Sequence, residues 1–132
     1  MPNAMLLKNK YYKIMKETQL DSNNGVYLLS LLPQADVYRG HFPHKPVCPG
    51  VCNIETIREC AEMLTGQDLF IKTIKQCRLT AVLSPEYASL IDVTVSVARI
   101  EGTDSYTVIG KIADAETSYM ELKGEFCIKE KG

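Results

Sequence analysis

Within one sixteen-residue run, Gly40-His41-Phe42-Pro43-His44-Lys45-Pro46-Val47-Cys48-Pro49-Gly50-Val51-Cys52-Asn53-Ile54-Glu55, the chain supplies a base, a helix start and an acid. Prolines at 43, 46 and 49 fix φ and bias the residues before them toward extended conformations, so the loop is stiff and poor in backbone donors. Gly50 lets another group approach its N–H closely, and an apolar helical pattern begins at Val51. Free N–H groups at such a start favour negative charge nearby. The combination suits chemistry on a carbonyl whose oxygen must become an enolate.

The elements that must position this run follow from pattern. Tyr11 to Leu20 and Val26 to Leu32 read as two strands joined through Asp21-Ser22-Asn23-Asn24-Gly25, a cluster that favours turns. Residues 33–50 lack periodicity and are long for a plain connection, which marks a functional loop. Val51, Ile54, Ile57, Ala61 and Leu64 then recur at helical spacing, and Gly66 is a natural stop. The stripe predicts a helix whose apolar side, Val51 included, is core.

After the helix everything reads as strand: Phe70 to Val82, Tyr87 to Ile100, Ser105 to Ala113 and Ser118 to Ile128. The turn clusters Ser84-Pro85-Glu86, Glu101 to Asp104 and Asp114 to Thr117 are short enough to join antiparallel neighbours. The apolar phase switches after Val97, which predicts a bulge near Val97 to Arg99. Two strands, one helix and four strands make an α+β domain in which a lone helix needs a sheet to cover it. Residues 1–132 are taken as a single domain.

A net charge of −1 with no basic cluster argues against nucleic acid as a partner. The run Ala4-Met5-Leu6-Leu7 is too short for a signal-peptide core and no stretch is long enough to span a bilayer, so a soluble, cytoplasmic protein with no membrane partner is expected. Five scattered cysteines, Cys48, Cys52, Cys60, Cys77 and Cys127, suit reduced thiols packed as small apolar groups. No metal is expected, because His41, His44, Cys48 and Cys52 follow no usual zinc spacing.

Residues 40–55 resemble the β-hydroxyacyl-acyl-carrier-protein dehydratases of the hotdog-fold superfamily. The likeness is carried by Gly40, His41, Phe42, Pro43, Pro46, Pro49, Gly50 and Val51, and by an acid, Glu55, fourteen positions after the histidine. It implies a curved antiparallel sheet wrapped around one long central helix. It also implies a homodimer, with possible higher assembly, whose active sites lie between protomers, His41 of one facing Glu55 of the other.

The implied reaction is reversible dehydration of a (3R)-hydroxyacyl thioester to the trans-2-enoyl thioester in fatty-acid or related acyl-chain biosynthesis. In it His41 takes the α-proton, Glu55 protonates the departing hydroxyl, and Gly50 with Val51 binds the thioester oxygen. Phe42, Pro49, Ile54 and Ile57 would line the acyl tunnel. No cofactor is implied beyond the phosphopantetheine arm of the substrate, whether acyl carrier protein or coenzyme A.

Lys72, Lys75 and Arg78 form a modest basic set able to receive an acidic carrier, or simply a solvated strand edge. The chain departs from the family pattern at His44, Cys52, Thr56, Arg58 and Glu59. A charged Glu59 would crowd Glu55 if both pointed inward; alternatively Arg58 or solvent neutralises it. Glu59 and Glu62 read as solvated or salt-bridged. A hotdog thioesterase, which activates water with a carboxylate, and a non-catalytic acyl-carrier-binding protein are the competing readings.

Overall fold

The computed structural model describes residues 7–38 and 47–130. Among the described residues six strands, β1 (Tyr12–Asp21), β2 (Asn24–Leu31), β3 (Leu69–Leu79), β4 (Leu90–Arg99), β5 (Ser105–Ala113) and β6 (Ser118–Ile128), surround a single α-helix, α1 (Gly50–Thr65). All pairings are antiparallel, in the order β1-β2-β4-β5-β6-β3, and the curved sheet carries α1 on one face. This is the α+β hotdog architecture.

Strict alternation builds the core. In β4, Ile91, Val93, Val95 and Val97 are buried while Leu90, Asp92 and Thr94 face outward. Leu29 and Leu31 of β2, Val108 and Ile112 of β5 and Met120, Leu122 and Phe126 of β6 join them beneath the helix, which contributes Ile57, Cys60, Ala61 and Leu64. At Gly110 a Cβ would lie 2.4 Å from Ile57 Cγ2, so a side chain there would push the helix off the sheet. Gly66 ends α1 at φ 69°, in the left-handed region, with its N–H donating to the Glu62 carbonyl.

Three expectations need correction. β3 does not neighbour β4; it pairs with β6 at the far edge, and the segment 80–89 crosses the sheet instead of turning a hairpin. No bulge interrupts β4, whose register with β5 runs unbroken from Asp92 to Arg99. The phase switch has a plainer cause: Ala98 is small and exposed, and Ile100 lies beyond the strand. Finally, Val51 is 71 % exposed and not core, whereas α1 is buried on every side from Thr56 to Glu62, charged residues included.

Candidate active site

His41 and Phe42, with Pro43, His44 and Pro46, lie outside the described residues. From Val47 onward the local structure is clear. Pro49 takes extended angles (φ −62°, ψ 142°), and its carbonyl accepts the N–H groups of Cys52 and Asn53 at 3.0 and 3.1 Å. The N–H groups of Gly50 and Val51 thus precede the helical ladder, as the first donors of a helix must. Cys48 N–H donates to the Leu83 carbonyl, tying this entry to the crossing segment. Between them lies a cavity of about 300 Å³, lined by Val47, Cys48, Gly50, Asn53 and residues 79–83. A groove of similar size between β3, β5 and β6, lined by Gln76, Ile109 and Lys111 among others, lies away from the helix start.

Beneath the cavity sits a neutral polar seam that the motif did not flag. Asn53 is 4 % exposed and accepts the Tyr11 hydroxyl at 3.2 Å. The ring of Tyr38 lies 6.1 Å from that of Tyr11, and its hydroxyl meets Cys48 Sγ at 3.3 Å. Burial, and then the neighbouring Cys48, push both tyrosines far above their ordinary range, so they stay protonated donors. The signal available in the sequence was Asn53 itself, a polar residue four before Ile57 on the buried flank of the helix.

Glu55 points elsewhere. Its carboxylate is forked by Arg58, with Nε at 2.9 and 3.0 Å from the two oxygens and NH2 at 2.8 Å, and its side chain is 37 % exposed. The buried guanidinium also meets Glu62 at 2.8 Å and Glu59 at 3.9 Å and donates to the Leu69 carbonyl. Burial works against the charge on Arg58, but the bond to Glu55 and the charges of Glu62, Glu55 and Glu59 outweigh it and raise its pKa. Glu59 is not solvated: it is fully buried and accepts Tyr12 O–H at 2.7 Å and the N–H groups of Leu7 and Lys8 at 3.0 and 3.1 Å.

Of the proposed tunnel residues, Ile57 is fully buried against Gly110, Ile54 is half-buried, and neither lines the cavity. Lys72 pairs with Glu125 at 3.2 Å, while Lys75 and Arg78 are exposed on β3. All five cysteines are free thiols. Burial pushes Cys48, Cys52 and Cys60 above the ordinary thiol range, which leaves them packing groups and not nucleophiles. Among the described residues no helix is long and apolar enough to cross a membrane.

One helix laid on a six-stranded antiparallel sheet, with an open helix start over a cavity, places the molecule among hotdog-fold proteins. Residues 17–117 match the ApeI-like family, described as ApeI dehydratase, and the chain belongs to it, as a divergent member. It is 32 % identical over 69 residues to the 3-hydroxyacyl-[acyl-carrier-protein] dehydratase FabZ of Variovorax paradoxus (strain S110), covering 50 % of this chain and 46 % of that protein. It is 27 % identical over 96 residues to the FabZ of Rickettsia africae (strain ESF-5), covering 64 % of this chain and 66 % of that one. The matches thus span roughly half to two thirds of these curated relatives. In fold, it superposes on a chain of the dehydratase heterocomplex ApeI:P from Xenorhabdus doucetiae with a TM-score of 0.70 at 21 % identity, over 88 % of this chain and 97 % of that one.

Proposed function

We propose that this chain dehydrates a (3R)-hydroxyacyl thioester carried on a phosphopantetheine arm, reversibly, to the trans-2-enoyl thioester. His41 takes the α-proton, and the freed pair, held first as the enolate, goes on to form the Cα–C3 double bond as the C3–O bond breaks. Glu55, directly or through water, supplies the proton with which the hydroxyl leaves as water. The Gly50 N–H stabilises the thioester oxygen meanwhile. The reaction calls for no cofactor, because the arm belongs to the substrate.

The observation that carries this reading is the divergence of Gly50 and Glu55 within one protomer. Five helical residues separate them, which turns Glu55 about 140° around α1 from Gly50, and Glu55 does not line the cavity that Gly50 opens. An acid facing outward at the surface is placed to serve a second copy. The edge strand β3 supports such a pairing, since it exposes Phe70, Ile74 and Leu79. A homodimer with two shared sites follows, and Lys75 and Arg78 beside the edge would receive an acidic acyl carrier.

The test is incubation with short and medium 3-hydroxyacyl and trans-2-enoyl thioesters, on coenzyme A and on carrier protein, following the enoyl absorbance. His41→Ala and Glu55→Gln should stay folded and lose turnover by about 10²- to 10⁴-fold. Equal activity in all three proteins would remove the catalytic assignment. Thiol release without enoyl absorbance would select a thioesterase, and carrier binding without turnover a non-catalytic partner.

A further inference from the structure

Asn53 shares a flank of α1 with Gly50 one turn earlier, and both line the same cavity. An amide in a buried helix interior needs a reason, because Asn is a poor helix former and an unpaired buried amide is destabilising. Half of the reason is visible: Oδ1 takes the Tyr11 hydroxyl. That bond orients the amide, so the NH2 group occupies the other side. The Nδ2 atom has no partner among the described residues, in a side chain that is almost wholly enclosed and lines the cavity. Among the described residues no acidic side chain lines that cavity. The corner therefore presents two N–H donors and no negative charge, an arrangement matched to an oxygen that gains electrons.

We propose that Asn53 Nδ2 and the Gly50 N–H together hold the thioester carbonyl oxygen while it carries enolate charge. The inference rests on the dehydratase reading above and adds to it a second donor, from a side chain. As the α C–H bond breaks, its proton goes to the base and its pair forms the C1–Cα double bond. The carbonyl π pair moves onto the oxygen that the two donors grip. When C3–O breaks, the oxygen pair returns to restore the carbonyl, the C1–Cα π pair becomes the Cα–C3 double bond, and the hydroxyl takes the acid's proton and leaves as water. Tyr11 is then a positioning residue, acting only through the amide it orients.

Two measurements on the full chain test this. In turnover of a 3-hydroxyacyl thioester, Asn53→Leu should lower kcat about 100-fold with little change in KM, as loss of one donor to a developing oxyanion does. Asn53→Asp, which keeps an acceptor for Tyr11 but offers an anion to the oxygen, should lower kcat further and provides a second variant if the leucine protein fails to fold. In calorimetric binding, a saturated acyl-pantetheine thioester should bind wild type about tenfold more tightly than the thioether in which CH2 replaces the carbonyl. That preference should fall severalfold in Asn53→Leu, where the Gly50 N–H remains, and further in Asn53→Asp, where an anion faces the oxygen.

Wild-type kcat in either folded variant, or a carbonyl preference unchanged by the substitution, overturns the proposal. A loss confined to KM overturns it too, because it would make Asn53 a uniform binder. If wild type shows no dehydration yet the carbonyl preference depends on Asn53, the dehydratase reading falls while the contact with the thioester oxygen stands.

Discussion

On one flank of α1, Arg58 gathers Glu55, Glu59 and Glu62 into an ionic cluster, with Tyr12, Leu7 and Lys8 closing around Glu59. On the other, Tyr11, Asn53, Tyr38 and Cys48 form a seam with no formal charge and one amide nitrogen to spare. Among the described residues charge is buried around a single shared guanidinium, and the donor left over sits where a cavity opens. The ionic flank sets geometry, aiming its most exposed carboxylate, Glu55, outward. The neutral flank is where a ligand can complete a bond.

Arg58→Ala should break the first flank hardest, costing about 3–5 kcal/mol in denaturant unfolding because three carboxylates would lose their common cation. A cost below about 1 kcal/mol would mean the cluster is not a unit. Glu59→Gln comes next, at about 1–3 kcal/mol, since the new NH2 group faces a hydroxyl and two main-chain donors. Tyr11→Phe should cost only about 0.5–1.5 kcal/mol, but it should also lower kcat severalfold at constant KM, a split that purely structural damage would not produce.

The smallest effect separates the flanks by pH. Burial raises the folded-state pKa of Tyr11 and of Tyr12 well above the ordinary 10.0, reinforced by Cys48 for the first and Glu59 for the second. A raised pKa stabilises fully below the unfolded value and loses that contribution as pH climbs beyond it, so stability should drop above about pH 10. At half a unit above, each tyrosine should account for under about 1 kcal/mol. Chemical denaturation between pH 8 and 11 should show a shallower alkaline decline in Tyr11→Phe and in Tyr12→Phe, and an unchanged slope in either would remove that residue from the account.

Local signals in the sequence were strong enough to recover the elements. β5 and β6 span the residues that period-two alternation assigns, and α1 stops where Gly66 demands. The glycine that starts the helix was readable from the proline before it, whereas the pairing of His41 with Glu55 came from the family resemblance alone, and His41 lies outside the described residues. What escaped was non-local. Nothing in residues 69–89 announces that β3 will pair with β6, since the ladder partners lie about 50 residues further on. Glu59 read as solvated or salt-bridged; the ion pair with Arg58 is there, but its burial escaped because Tyr12 and the backbone at Leu7 and Lys8, which close over it, are 47 to 52 residues away. Asn53 was legible only as an oddity, a polar residue on an apolar flank, until Tyr11 was seen beside it.

The clasp on Glu59 has its own consequence. Two of its three donors are main-chain N–H groups, at Leu7 and Lys8, so it reads how far the chain extends before β1 and not which side chains stand there. Substitution at positions 7 and 8 is therefore cheap on the carboxylate's side, proline excepted, while trimming the segment back to Tyr11 would strip a buried anion of two of its three ties. The carboxylate thus fixes the course of the backbone at these two positions, whatever side chains they carry.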